Sequence, residues 1–266
     1  MTAVSNGARL ARHGTWLSET DLRHFADHGW VVVPDAIPPS LCLRLRSKMD
    51  IALSRVQPWQ SENGLQGISE PHLTSTTFLD LFRIEGFVAT CRQLVGHGPR
   101  LRHCSALRTA THPRASDPDA RLTDQSTWDW HRDFQPDSII RQSKAGSHLT
   151  SQAVVAAAYL TKTTAELGAT AFLDGTHVLA GSYRDLTGVA PFVQPEVEAG
   201  SVVLFSEALM HAATPVTANG ARYAVLTWMT APWFGGEAPA PFGVDRWVDS
   251  GLRQIFTAPR FGDSEP

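Results

Sequence analysis

The segment Ser201-Val202-Val203-Leu204-Phe205-Ser206 is short, apolar and β-branched, which is typical of a buried β-strand. Runs of the same kind, rich in Val, Ala, Leu, Phe and Thr, occupy residues 153–160, 169–173 and 223–229. Gly, Pro and Asn cluster between these runs, and no helical pattern of about 10–15 residues separates them regularly. A doubly wound parallel sheet is therefore disfavoured, and we predict an antiparallel sandwich or barrel.

Helical signals dominate the first hundred residues. Ser18 and Asp21 match a capping box, and Gly29 is placed to end the helix that follows. The β-branched run 30–33 predicts one early strand. Residues 38–40 open a second helix, whose apolar positions recur every four residues: Leu41, Leu45, Met49 and Leu53.

Residues 57–76 are predicted to be loop. Beyond them, Thr77 and Asp80 match a second capping box, which predicts an apolar helix that Gly96 ends. The composition is even along the chain, so we predict one domain over residues 1–266. Its expected parts are a mainly helical buttress over 1–100, a β core over 101–235 and a C-terminal extension over 236–266.

The composition excludes several classes of protein. Apolar residues make up 42% of the 266 residues and charged residues 18%, so the chain can bury a core and is not predicted to be disordered. The formal net charge of −3 argues against a nucleic-acid partner bound through a basic face. The sequence carries no signal for an oligomeric state.

The cysteines and the apolar segments together predict the cellular compartment of the protein. Cys42, Cys91 and Cys104 are odd in number and form no CxxC pair, so we expect a reducing compartment and three buried apolar cysteines. Residues 1–12 lack the apolar region of a signal peptide, and no stretch approaches the roughly 18 apolar residues of a membrane span. We predict a cytoplasmic protein without a membrane partner.

A metal-binding pattern lies at His131-x-Asp133. On an extended segment, residues two apart point to the same face, so an imidazole and a carboxylate converge there. They are two thirds of the 2-His-1-carboxylate triad that binds non-haem Fe(II). The third ligand is expected from a distant strand, and His211 follows the strand 201–206 by five residues. Taken alone, either histidine also fits ordinary packing at a strand end.

Arg222 opens the predicted strand 223–229. A guanidinium facing a pocket at that place could clamp a carboxylate through two hydrogen bonds. A solvated or salt-bridged surface arginine is the alternative reading.

These residues, in this order, resemble the phytanoyl-CoA dioxygenase family of Fe(II)/2-oxoglutarate oxygenases. Other stretches that resemble the family follow the same order along most of the chain: 25–34 as a helix–strand entry, 168–177, 198–205 before the distal histidine, and 219–222. The resemblance implies Fe(II) held by His131, Asp133 and His211, with O₂ and the co-substrate 2-oxoglutarate. It also implies that Arg222 pairs with the distal carboxylate of 2-oxoglutarate.

Further contacts to the co-substrate are implied at lower specificity. Thr170 matches a residue that faces the co-substrate in some members of the family. A polar side chain shortly before the HxD pair often contributes too, and Gln125 and Arg121 are the candidates. Ala213 stands where some relatives carry a serine that helps to hold the co-substrate, and alanine has no hydroxyl for that contact.

The implied fold is mainly β with flanking α-helices, a double-stranded β-helix or jelly-roll, cupin-like barrel. The implied function is hydroxylation of a small organic molecule in secondary-metabolite biosynthesis. Desaturation, epoxidation, ring closure and epimerisation are open as well. Chlorination is not expected, because related halogenases lack the carboxylate that Asp133 supplies. Two alternatives stay open: a cupin-type hydrolase or isomerase using Zn²⁺ or Mn²⁺ without 2-oxoglutarate, and a binding barrel without turnover.

The substrate pocket is expected to be capped by residues 134–148, which follow the metal pattern. Arg141 is the candidate anchor for a substrate carboxylate, and a surface arginine is the alternative. Candidate aromatic walls, for which ordinary core packing is the alternative, are Trp128, Trp130, Phe134, Trp228 and Trp233.

Overall fold

The computed structural model describes residues 14–55, 59–60, 63–96, 98–134, 140–142, 149–233 and 250–256. The strands are β1 Trp30–Val33, β2 Trp59–Gln60, β3 Leu65–Ser69, β4 Arg100–Ala110, β5 Ile140–Gln142, β6 Leu149–Ser151, β7 Ala153–Tyr159, β8 Ala171–Leu173, β9 Phe192–Val193, β10 Val202–Ser206, β11 His211–Ala212 and β12 Ala221–Thr230. The α-helices are α1 Glu19–His28, α2 Pro39–Arg55, α3 Phe87–Val95, α4 Tyr183–Leu186 and α5 Ser250–Gln254.

Two sheets build the β core. The larger has seven strands in the order β1-β10-β7-β12-β4-β3-β2, and the smaller has three in the order β11-β8-β9. Neighbouring strands in both sheets pair antiparallel. The antiparallel prediction is confirmed, and the arrangement is that of a jelly roll.

The large sheet is buried on both faces, and β7 shows how. Val154, Ala156 and Ala158 pack into the cluster shared with the helices. Val155, Ala157 and Tyr159 point to the opposite face, where they pack with Phe172 of the small sheet. A strand covered on both sides becomes a continuous apolar run, which is why 153–160 and 201–206 are recognisable from sequence.

The first two helices form as predicted. The Ser18 side chain caps the Asp21 backbone N–H, Asp21 bonds back to Ser18, and Gly29 ends α1 with a φ of 81°. In α2 the predicted stripe is buried at Leu41, Leu45 and Met49, while Leu53 is only partly buried. This stripe packs against the outer face of the large sheet.

The prediction of one helix from Thr77 to Gly96 is wrong in part. Residues 76–81 form a 3₁₀ helix capped by Ser75 rather than Thr77, and α3 begins only at Phe87. Gly86, with a φ of 89°, separates the two pieces because its left-handed backbone interrupts the helix.

The prediction of loop over 57–76, with β1 as the one early strand, is also wrong. β3 pairs with β4 and extends the large sheet, and β2 pairs with β3. The place of β3 in the sheet depends on β4, a partner distant in sequence that a local pattern does not reveal.

Gly200 offers a direct test of how β10 enters the sheet. Its φ is 90°, and an added Cβ would lie 2.6 Å from the Ile37 carbonyl oxygen. We expect Gly200→Ala to lower the free energy of unfolding by about 2–3 kcal/mol, from backbone strain and this clash. Gly188→Ala is the control, because its Cβ would meet nothing within 4 Å. Equal denaturation midpoints for the two variants would contradict the expectation.

All three cysteines are free and buried, as predicted. Burial raises the pKa of the Cys91 thiol to about 12, so this thiol is inert near neutral pH. Among the helices in the described ranges, none has the length and hydropathy of a membrane span. The cytoplasmic location and the division of the domain at residues 100 and 235 stay predictions.

Candidate metal centre

A backbone bridge brings the two predicted metal-binding histidines together. His131 and His211 pair antiparallel, each donating its N–H to the other's carbonyl at 2.9 Å. His211 also pairs with Phe172 of β8, so His131 extends the small sheet by one bridge. The centroids of the two imidazole rings are 4.3 Å apart as a result.

Asp133 completes the group. One possible ligand atom from each of His131, Asp133 and His211 lies within 4.8 Å of the other two. The Asp133 backbone N–H donates to the Glu207 carbonyl at 3.0 Å, which ties this segment to the loop after β10. The side chains of His131 and Asp133 converge, as their spacing of two predicts.

Hydrogen bonds set both imidazoles in the form that a metal requires. His131 Nδ1 lies 2.8 Å from the Asp129 carbonyl oxygen, and His211 Nδ1 lies 2.8 Å from the Leu209 carbonyl oxygen. A carbonyl only accepts, so each Nδ1 carries the proton and each Nε2 keeps its lone pair. Metal-binding histidines are commonly oriented in this way. The donor set of two imidazoles and one carboxylate therefore fits Fe(II).

Burial controls the charge of the site. It lowers the pKa of His211 to about 4, with a further contribution from the neighbouring His131, so His211 is neutral and able to bind a metal near neutral pH. Burial also raises the pKa of the Glu207 carboxyl to about 8; Arg102 opposes this shift and Asp133 adds to it. The Arg102 guanidinium donates a hydrogen bond to Glu207 Oε2 at 2.9 Å.

Arg222 is a buried cation with neutral partners. It donates to the Gly168 carbonyl and, at 3.0 Å, to the Thr109 hydroxyl, while its Nε has no partner among the described residues. Neither partner found for it in the described ranges is a carboxylate, and burial lowers its pKa despite the opposing effect of Tyr159. A buried guanidinium without an anion fits a site for an anionic ligand.

A hydroxyl pair lies close to Arg222. The Tyr159 hydroxyl and the Thr170 hydroxyl are 2.7 Å apart. Tyr159 pairs with Ala224 across β7 and β12, two residues along the strand from Arg222. The sequence selects Thr170 but not Tyr159, because the run 153–160 is apolar on both faces and carries no polar alternation that would mark the face of the site.

Among the described residues, the side chains of Arg121 and Trp130 bond to partners outside the triad. The Gln125 backbone carbonyl accepts from the Trp130 indole at 2.8 Å, and a co-substrate role for the Gln125 side chain stays a prediction. Arg121 is exposed and pairs with Asp124 at 2.6 Å. Trp130 stacks on Tyr183, with ring centroids 5.0 Å apart.

The predicted aromatic pocket walls differ in how close they come to the metal group. Trp228 touches the site, because its indole donates to Asp133, whereas Phe134 lies under the Arg102 guanidinium at 4.4 Å. Trp233 is half exposed at 51%. Of the predicted cap, residues 135–139 and 143–148 lie outside the described residues, as does the Arg141 side chain.

Two facing antiparallel sheets, with a two-histidine, one-aspartate group between them, define the class of jelly-roll proteins with a non-haem metal site. The sequence profile described as "Phytanoyl-CoA dioxygenase (PhyH)" matches residues 25–224. The chain belongs to this family. No curated protein matches the chain significantly in sequence.

Solved structures share the fold. The α-ketoglutarate-dependent epimerase SnoN from nogalamycin biosynthesis is 19% identical, with a TM-score of 0.62 over 80% of this chain and 82% of its own. HygX from Streptomyces hygroscopicus, solved with nickel and 2-oxoglutarate, is 18% identical, with a TM-score of 0.66 over 83% and 89%. The α-ketoglutarate-dependent carbocyclase SnoK is 17% identical, with a TM-score of 0.64 over 87% and 91%.

Proposed function

We propose that this protein is an Fe(II)- and 2-oxoglutarate-dependent oxygenase that oxidises a small organic molecule. The observation that carries the proposal is the group of His131, Asp133 and His211, with ligand atoms within 4.8 Å of one another. Both imidazoles keep Nε2 free for a metal. Family membership supports the same activity.

When bound, Fe(II) supplies oxidation of a C–H bond by O₂, coupled to conversion of 2-oxoglutarate to succinate and CO₂. The chain's own residues bind and orient the reactants. His131, Asp133 and His211 would hold the metal and leave three of six positions for other ligands. Arg222 would bind the distal carboxylate of 2-oxoglutarate, the anion that this buried guanidinium lacks.

The hydroxyls of Tyr159 and Thr170 would complete the co-substrate site. Each hydroxyl both donates and accepts, so the pair bonded at 2.7 Å still has capacity for an oxygen of the ligand. Tyr159 is buried, and its strand is packed on both faces, so the site excludes water on this side.

Asp133 favours an oxidative outcome over halogenation, because its carboxylate takes the position that a halide would need. Hydroxylation is the default reaction, and desaturation, epoxidation, ring closure and epimerisation share the same metal chemistry. SnoN was solved with nogalamycin RO and HygX with hygromycin B, both small molecules. We therefore propose a substrate of secondary-metabolite type.

The first experiment is an anaerobic titration of the metal-free protein with Fe(II) and then 2-oxoglutarate, followed by visible absorption. We expect a weak charge-transfer band that appears only with both components present. Iron binding without a band would remove the co-substrate from the proposal and favour the hydrolase or isomerase alternative. Failure to bind iron would overturn the proposal as a whole.

A further inference from the structure

Asp133 accepts a hydrogen bond from a residue that is not itself one of the three predicted metal ligands. The Trp228 indole N–H donates to Asp133 Oδ2 at 3.0 Å. An indole nitrogen donates one hydrogen bond and accepts none. The bond therefore occupies one carboxylate oxygen and leaves Oδ1 free of this contact.

An irregularity in the sheet positions Trp228. Along the β12–β4 ladder, Trp228 pairs with His103 but Met229 pairs with Leu101, so Arg102 is an extra residue. A β-bulge of this kind changes the direction of the side chains next to it, and bulges are common beside functional sites. Here it places Arg102 against Glu207 and Phe134, while His103 contacts the Trp228 ring, with centroids 5.0 Å apart.

His103 is itself held on both nitrogens. Its Nδ1 bonds to the Glu70 carboxylate, and its Nε2 lies 2.8 Å from the Ser105 hydroxyl. The three residues form a buttress of hydrogen-bonded side chains behind the indole. A Ser–His–acid order also occurs in hydrolases, but Ser105 is only 4% exposed in the middle of β4, so attack on a substrate is not favoured.

We propose that Trp228 is a positioning residue that holds Asp133 for metal binding through one oxygen, and that Glu70, His103 and Ser105 hold the indole in place. The inference rests on the proposed function, because it assumes that Asp133 is a metal ligand. A carboxylate bound through both oxygens would take a fourth metal position. Two positions would then be left, too few for a bidentate co-substrate together with O₂.

The test uses Co(II) alone as the probe, added to metal-free protein without 2-oxoglutarate. Trp228→Phe keeps an aromatic ring and removes the donor. We expect Co(II) binding to weaken by about 10–100-fold, the usual cost of losing an outer hydrogen bond to a ligand. The visible absorption spectrum of the bound Co(II) is also expected to change, since its intensity depends on the number of ligand atoms that coordinate the ion.

Trp30→Phe is the matched control. Trp30 is partly buried like Trp228, and its indole donates to a carboxylate too, that of Asp174 at 2.7 Å. Asp174 is not in the metal group, so the Trp30→Phe variant is expected to bind Co(II) as the wild type does. Equal affinity and spectrum for Trp228→Phe and the wild type would overturn the inference.

A folding defect and a failure of the proposed function give different results. Should Trp228→Phe fail to fold, benzothienylalanine at position 228 removes the N–H while keeping the two-ring shape, and the same changes are expected. If wild-type protein forms the iron and 2-oxoglutarate band but loss of the indole donor changes nothing, only the positioning role is wrong. If wild-type protein binds no metal, both proposals are wrong.

A separate variant tests the group of Glu70, His103 and Ser105 that supports the indole. His103→Phe keeps a ring against Trp228 but removes the bonds to Glu70 and Ser105. We expect weaker Co(II) binding, by a smaller factor than for Trp228→Phe. Unchanged Co(II) affinity would remove the buttress from the proposal.

Discussion

The His211→Ala variant is expected to lose Fe(II) binding, and with it the charge-transfer band and the formation of succinate. His211 supplies one of three ligand atoms that lie within 4.8 Å of one another. Two ligands cannot define one face of an octahedral ion. The loss of metal affinity should exceed the roughly 100-fold that removal of an outer partner costs. Anaerobic titration of the metal-free variant with Fe(II) measures it.

His28→Ala is the control for a histidine outside the metal group. His28 is partly exposed and pairs with Asp174 at 2.6 Å. It belongs to α1 and is not part of the metal group, so the variant should bind Fe(II) as the wild type does. Retention of Fe(II) binding by the His211→Ala variant would mean that the metal binds elsewhere.

The second large effect is expected from Arg222→Met, which should weaken 2-oxoglutarate binding while Fe(II) binding persists. Removing one partner of a buried charge pair costs ~2–5 kcal/mol, or about 30-fold to several thousand-fold in Kd. The metal-free variant should unfold no more easily than the wild type, because no carboxylate of the described residues compensates the buried guanidinium. Titration of the Fe(II) protein with 2-oxoglutarate and chemical denaturation measure the two effects.

Arg108→Met is the matched control. Arg108 lies on β4 beside Arg222 but faces the helical side, where it bonds to the Tyr223 hydroxyl at 3.0 Å and to Gln66 at 2.9 Å. Its loss should leave 2-oxoglutarate affinity unchanged. Equal effects of the two variants would show that Arg222 acts through stability alone.

The Arg222 variant and an assay for succinate together separate the alternatives. A hydrolase or isomerase on the same barrel has no use for a buried guanidinium that lacks an anion, so its activity would survive Arg222→Met. A binding barrel without turnover would form the charge-transfer band but no succinate with any substrate.

Some elements were predictable because their signals are local. The capping box of Ser18 and Asp21 needs only four consecutive residues, and α1 begins where it predicts. β7 and β10 are buried on both faces, so their apolar runs stand out without knowledge of their neighbours.

Other elements were missed because their partners are distant. β4 is the longest strand, yet Arg100, Arg102 and Arg108 interrupt its apolar pattern. Arg102 bonds to Glu207, and Arg108 bonds to Gln66 and Tyr223, contacts that exist only after folding. β3 owes its place in the sheet to pairing with β4. Tertiary pairing overrides local propensity in such strands.

For the site, the sequence by itself determined the chemistry of the ligands, because an i, i+2 spacing puts His131 and Asp133 on one face of any extended segment. Only the tertiary structure decided that His211 joins them, through a backbone bridge between distant segments. It also decided which imidazole nitrogens are free and which Asp133 oxygen the Trp228 indole occupies. Hydrogen bonds of this kind depend on positions to within a few tenths of an ångström, and only packing of the whole chain sets these positions.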